Sequence, residues 1–120
     1  MKEPQFLLDA ARVLRYAELD ERAGRYAAVV SGVPVDSATV KGLAIVETLL
    51  DGTIFLLHCN DEWETVAYSA HASADAAQAA ALEAYPPAAQ RWSNYRALTD
   101  DEEREIVSTR AFLREIAADG

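Results

Sequence analysis

Thiol chemistry is almost missing from this chain. Its one cysteine, Cys59, has no partner for an internal disulfide, and a reducing compartment, the cytoplasm, is expected. Histidine is nearly as scarce, with only His58 and His71. No HxxxH or CxxC pair, glycine-rich phosphate loop or GxSxG elbow occurs, so no catalytic residue, metal site or cofactor is expected. No apolar run approaches the length of a membrane span, and the opening MKEPQFLLDA is too short in apolar residues for a signal-peptide core. Pro and Gly number four and five, and no linker or internal repeat divides the chain; residues 1–120 read as a single domain.

Large side chains are few as well. The hydrophobic fraction is 51%, but about a fifth of all residues are Ala, so the core must rest on a short set of Leu, Ile, Val and aromatic residues. Cations are scarce too. Formal charge is −9, and between residues 36 and 83 Asp36, Glu47, Asp51, Asp61, Glu62, Glu64, Asp75 and Glu83 face only Lys41. An acidic centre of this kind repels phosphate backbones and anionic headgroups. Nucleic acid and membrane are therefore excluded as expected partners, and a basic protein surface is favoured.

What is present speaks mainly of fold. Leu49 to Trp63, LLDGTIFLLHCNDEW, reads as a hairpin over Lys41–Leu49 and Thr53–Cys59, with Asp51-Gly52 as a two-residue type I′ turn. A third strand, Trp63–Ala70, follows the short Asn60-Asp61-Glu62 turn, and connections this short require antiparallel neighbours. Ser73 caps an Ala-rich helix over residues 74–85 that Pro86-Pro87 halts, and Thr99-Asp100-Asp101-Glu102 is a capping box that opens a closing helix over residues 100–118. Small Ala side chains let the first helix lie close on the sheet, with Phe55, Leu57 and Tyr68 filling the space beneath it. Before the meander, residues 5–23 fit an amphipathic helix, with Arg12, Arg15, Glu18, Arg22 and Arg25 opposite Leu7, Ala11 and Leu14, as well as a short helix over residues 4–11 followed by a strand from Arg12 to Leu19. The second arrangement is expected, with a strand Arg25–Val30 ended by Ser31-Gly32-Val33-Pro34 after it. Pro86–Leu98 reads as a loop whose Trp92 and Tyr95 plug an edge of the core. The fold class is α+β: a mainly antiparallel sheet of four or five strands with both helices packed on it.

Candidate chemistry is thin. His58 and Cys59 are adjacent on a strand and point to opposite faces, and a thiol beside Leu57 behaves as a small hydrophobe with a raised pKa. The cluster Asp61, Glu62, Trp63 and Glu64 is the sharper signal: an aromatic ringed by carboxylates suits a basic, partly apolar protein surface, although a Trp at a strand start is also an ordinary core residue.

The order of Phe-Leu-Leu-His-Cys-Asn-Asp-Glu-Trp closing a hairpin, a third strand, a Ser-capped Ala-rich helix ending Tyr85-Pro86 and a trailing Arg91-Trp92 resembles small uncharacterised bacterial α+β proteins. Some of those are similar to the immunity proteins of polymorphic toxin systems. The likeness covers residues 40–93 and implies a non-catalytic, partner-binding role. Three functions are therefore carried forward: an acidic binding protein of immunity type using Asp61, Glu62, Trp63 and Glu64; a small enzyme or ligand-binding protein using His58 or His71 in a pocket between sheet and helix; and a homodimer joined through a strand edge.

Overall fold

The computed structural model describes residues 1–20, 27–30, 33–36 and 39–119. Three runs rich in β-branched and long apolar residues form the centre of the sheet: β2 (Ala11–Leu19), β5 (Gly42–Thr48) and β6 (Ile54–Cys59). With β7 (Thr65–His71) they make an antiparallel ladder in the order β2-β5-β6-β7, which contains the meander read from residues 41–70. The remaining edge of β2 is divided between two short strands. β1 (Leu7–Leu8) pairs with Ala11 and Arg12, and β8 (Gln90–Asn94) pairs with Arg15 to Leu19. A five-stranded path β1-β2-β5-β6-β7 results, and β8 joins it at β2 as a sixth strand. β3 (Ala27–Val30) and β4 (Val33–Asp36) form a separate two-stranded antiparallel ribbon.

Each layer of core follows from strand parity. Leu43, Ile45, Leu56 and His58 point to one side, where they meet Ala77, Ala81 and Tyr85 of the Ala-rich segment whose helix, α1, spans Ala74–Ala84. Ala44, Val46, Leu57 and Cys59 point to the other, where Ala11, Val13 and Trp63 complete a second cluster. Between Val13 and Arg15 a bulge leaves Leu14 as the extra residue, and β2 thereby changes which side chains face which layer. Val13 packs in the second cluster while Ala17 and Leu19 pack in the first.

Capping behaves as the sequence implies. Ser73 Oγ accepts from the Ala76 amide at 3.0 Å, and Arg15 donates to Asp75 at 2.8 Å and to Gln78 at 2.9 Å, tying the helix start to β2. At the other end Gln90 Nε2 donates to the Ala81 carbonyl, which also accepts from the Tyr85 amide, and to the carbonyl of Tyr85 itself. Helix α2 (Asp100–Asp119) opens with the capping box: Glu102 N donates to Thr99 Oγ1 at 3.2 Å and Thr99 N to Glu102 Oε1 at 2.9 Å. α2 packs through its first half, where Ile106 is buried and Arg110 Nε donates to the Leu49 carbonyl at 3.0 Å. Phe112 and Ile116, further along, are exposed.

Five expectations are corrected. No helix forms over residues 4–11, because Asp9 and Ala10 adopt φ of 52° and 58° and turn β1 back onto β2. Asp51-Gly52 is not a two-residue turn: Thr48 N donates to Thr53 O across a four-residue loop, and only Gly52, at φ 76°, is left-handed. That longer loop lets Leu49 drop into the core while its amide donates to Ala10 O. Pro34 does not end the structure but lies within β4, which a two-stranded ribbon permits because each of its strands is an edge; Arg25, Tyr26, Ser31 and Gly32 of that expectation lie outside the described residues. Pro86–Leu98 holds a short 3₁₀ turn (Pro87–Ala89) and β8, not a loop alone, although Trp92 and Tyr95 do pack against the two clusters. Phe55, Leu57 and Tyr68 face away from α1, and Ile54, Leu56 and His58 lie on its side.

Ala10 gives a first test of this backbone. An L residue held in the left-handed region is strained by about 1 kcal/mol, and glycine removes that strain while adding freedom to the unfolded chain. Ala10→Gly is expected to raise the unfolding free energy by roughly 0.5 kcal/mol in urea denaturation. Destabilisation would contradict the turn.

Candidate functional site

The turn from Asn60 to Glu64 is built by the Asn60 side chain. Asn60 Oδ1 accepts from the amides of Glu62 and Glu64, both at 2.9 Å, while Asn60 N donates to Glu64 O at 3.0 Å. An Asn opening a tight polar stretch is the signal for such an Asx turn. Within it Trp63 takes φ 61°, and the indole swings inward instead of projecting from the surface. Trp63 is 8% exposed, stands edge-on to Tyr16 at 6.0 Å, and donates from Nε1 to the Lys2 carbonyl at 2.7 Å. The ring lies over Gly42, where a Cβ would come within 2.6 Å of it. Trp63 is thus a largely buried residue that anchors the N-terminal segment.

Its acidic neighbours are exposed. Asp61, Glu62 and Glu64 line an open cleft of about 840 Å³ together with Trp63, Glu3 and Asp9, so that among the described residues five carboxylates meet one lysine, Lys2. Three elements bring them there. The β1–β2 turn supplies Asp9, the Asn60 turn supplies the three acids, and the N-terminal segment supplies Glu3 across the gap. Thr65 Oγ1 donates to Asp9 Oδ2 at 2.6 Å and clips the first two together. Tyr95 Oη donates to the Pro4 carbonyl at 2.7 Å and holds the third. Glu3 is shared with Arg96, whose other nitrogens grip Glu102 in a bidentate pair at 2.7 and 2.8 Å. That pair, with the Thr99 amide, pulls Glu102 down to about 2 and raises Arg96. Among the described residues no three His, Cys, Asp or Glu side chains are grouped to hold a metal ion.

The residues that invited catalysis are placed elsewhere. His58 is 1% exposed, its Nδ1 2.8 Å from Tyr85 Oη and its Nε2 without a hydrogen-bond partner among the described residues. Burial, and then the charge of His71, push it down to about 4. His71 lies near the end of β7 with Nε2 2.7 Å from Ser69 Oγ. Cys59 is fully buried, and burial pushes its thiol up to about 12, the opposite of an activated nucleophile. His58 and Cys59 do face opposite layers. None of the three lines the acidic cleft.

Compared with models of protein families, with curated proteins and with solved structures, the chain finds no match in any of the three. No helix among the described residues is long and apolar enough to cross a membrane.

Proposed function

We propose that this protein is a non-catalytic binding module that docks a basic protein in the acidic cleft, and that it serves as an immunity-type inhibitor of a basic toxin. The observation that carries the proposal is the convergence of Glu3, Asp9, Asp61, Glu62 and Glu64 on one concave surface, with Lys2 as the one cation among the described residues that line it. Carboxylates gathered from three separate segments produce a field that a solvated turn alone would not. A protein rich in Lys or Arg is drawn to such a surface, and opposite charge accelerates the encounter. Inhibition needs no chemistry: a cationic active site seated against the cleft is closed to its own anionic substrate.

Asp61, Glu62 and Glu64 lie on an exposed turn, so reversing them alters charge without opening the core. The triple variant Asp61→Lys, Glu62→Lys and Glu64→Lys is expected to keep its melting temperature within a few degrees and to bind at least about tenfold more weakly. The loss should sit mostly in the association rate and shrink as salt is added. Stopped-flow and calorimetric titration against the partner recovered by cross-linking in living cells measures both. Unchanged affinity would remove the cleft from the interface.

A further inference from the structure

Beside the acidic cleft lies a second concavity of different character. Ala11, Val46, Phe55, Leu57 and Tyr68 line about 180 Å³ on the sheet face away from α1, and among the described residues Thr48, Asp9 and the Tyr68 hydroxyl supply its polar groups. Asp9 lines the acidic cleft as well, so the two hollows share a wall. Small-molecule sites usually occupy about 300–1,000 Å³, and this one is too small to hold such a ligand whole. It is the right scale for one side chain. Tyr68, 61% exposed, and Phe55 meet edge to face at 5.8 Å and form an aromatic lip over its open side.

Building on the acidic-cleft reading, we propose that this pocket receives a single large apolar side chain, of Phe or Leu type, from the same basic partner segment whose cations occupy the cleft. Charge selects the occupant. A second copy of this chain, at net charge −9, would bring its own carboxylates against Asp9 and its neighbours, and anionic lipid or nucleic acid would be repelled in the same way. A cationic segment is attracted along the whole track. Division of labour follows from the two environments: exposed carboxylates in a wide cleft steer and orient, whereas a side chain transferred from water into an apolar pocket slows departure.

Two synthetic peptides test this on the full chain. One is an Arg- and Lys-rich nonapeptide with a central Phe, and the other carries Ser in its place. Fluorescence polarisation gives the affinities, and NMR shifts locate the contacts. The Phe peptide is expected to bind about tenfold or more tightly than the Ser peptide, with shifts at Phe55, Leu57 and Tyr68 as well as at Asp61 to Thr65. Tyr68→Ala, which opens the lip at an exposed position, should collapse that preference while leaving the Ser peptide's affinity within twofold. Equal binding of both peptides, lost on reversing Asp61, Glu62 and Glu64, would overturn the pocket and leave the acidic cleft standing. A Phe preference that survives Tyr68→Ala would likewise overturn the pocket. Failure of both peptides to bind would overturn the pocket and the cleft together.

Discussion

Trp63→Ala is expected to lower the unfolding free energy by about 3–5 kcal/mol, the cost of emptying a buried indole site. Three contacts disappear at once: the packing over Gly42, the edge-on pairing with Tyr16, and the hydrogen bond that holds the Lys2 carbonyl. The left-handed backbone at position 63 stays strained in the variant, so nothing is recovered there. Gly42 gives the complementary test. A methyl group at that position would overlap the ring, which cannot retreat while its Nε1 is tied to Lys2, and Gly42→Ala is expected to cost about 1–3 kcal/mol by overpacking. In the Trp63→Ala background the same methyl meets vacated space. The double variant should therefore be more stable than the sum of the single losses by about 1 kcal/mol or more, as contacting residues require. Urea denaturation of the four proteins measures the cycle. A Trp63→Ala loss below about 1 kcal/mol, or strict additivity with Gly42→Ala, would show that the indole does not fill this site.

That single residue also marks where sequence reasoning stops. Asp61, Glu62, Trp63 and Glu64 read as one acidic, aromatic cluster, and all four line the cleft, but a left-handed φ at Trp63 turns most of its ring inward while the acids stay exposed. No residue type announces positive φ at a tryptophan, although Asn60 as the organiser of the turn was there to be read. The meander was legible because short polar connections force antiparallel neighbours, and both helices were legible from Ser73 and the Thr99–Glu102 box. Which way β6 faces was not. Ile54 to Cys59 is apolar along almost its whole length because both of its sides are covered, and a strand without alternation gives no parity. β8 escaped notice for the opposite reason: Gln-Arg-Trp-Ser-Asn has a mostly polar composition, and it becomes a strand only because the free edge of β2 is there to pair with it. Glu3 and Asp9, which complete the acidic cleft, were unreadable as site residues because their approach to Asp61 depends on how the N-terminal segment crosses the sheet.

Acid is expected to destabilise the protein by roughly 3 kcal/mol between pH 7.5 and 4, through His58 alone. The imidazole is sealed between β6 and Tyr85, and burial lowers it from an ordinary 6.5 to about 4. Below 6.5 the unfolded chain takes up a proton that the native state still refuses, so stability falls steadily as pH drops towards 4 and levels off beneath it. Carboxylates act in a different window. Asp51, held down to about 2 by the Thr48 hydroxyl and the Thr53 amide, and Glu102, held there by Arg96, withdraw their contributions only below about pH 4. On the alkaline side Cys59 and Tyr85, both pushed up to about 12 by burial, keep protons that the unfolded chain releases, and stability declines as pH rises above about 9. Urea midpoints at half-unit pH intervals separate these limbs. Tyr85→Phe should cost about 1–3 kcal/mol at neutral pH, since it leaves both imidazole nitrogens without partners. His58→Leu combined with Tyr85→Phe removes donor and acceptor together, and its stability should be flat from pH 7.5 to 4.5. A wild-type profile equally flat across that interval would mean that His58 reaches water and accepts its proton in the native state.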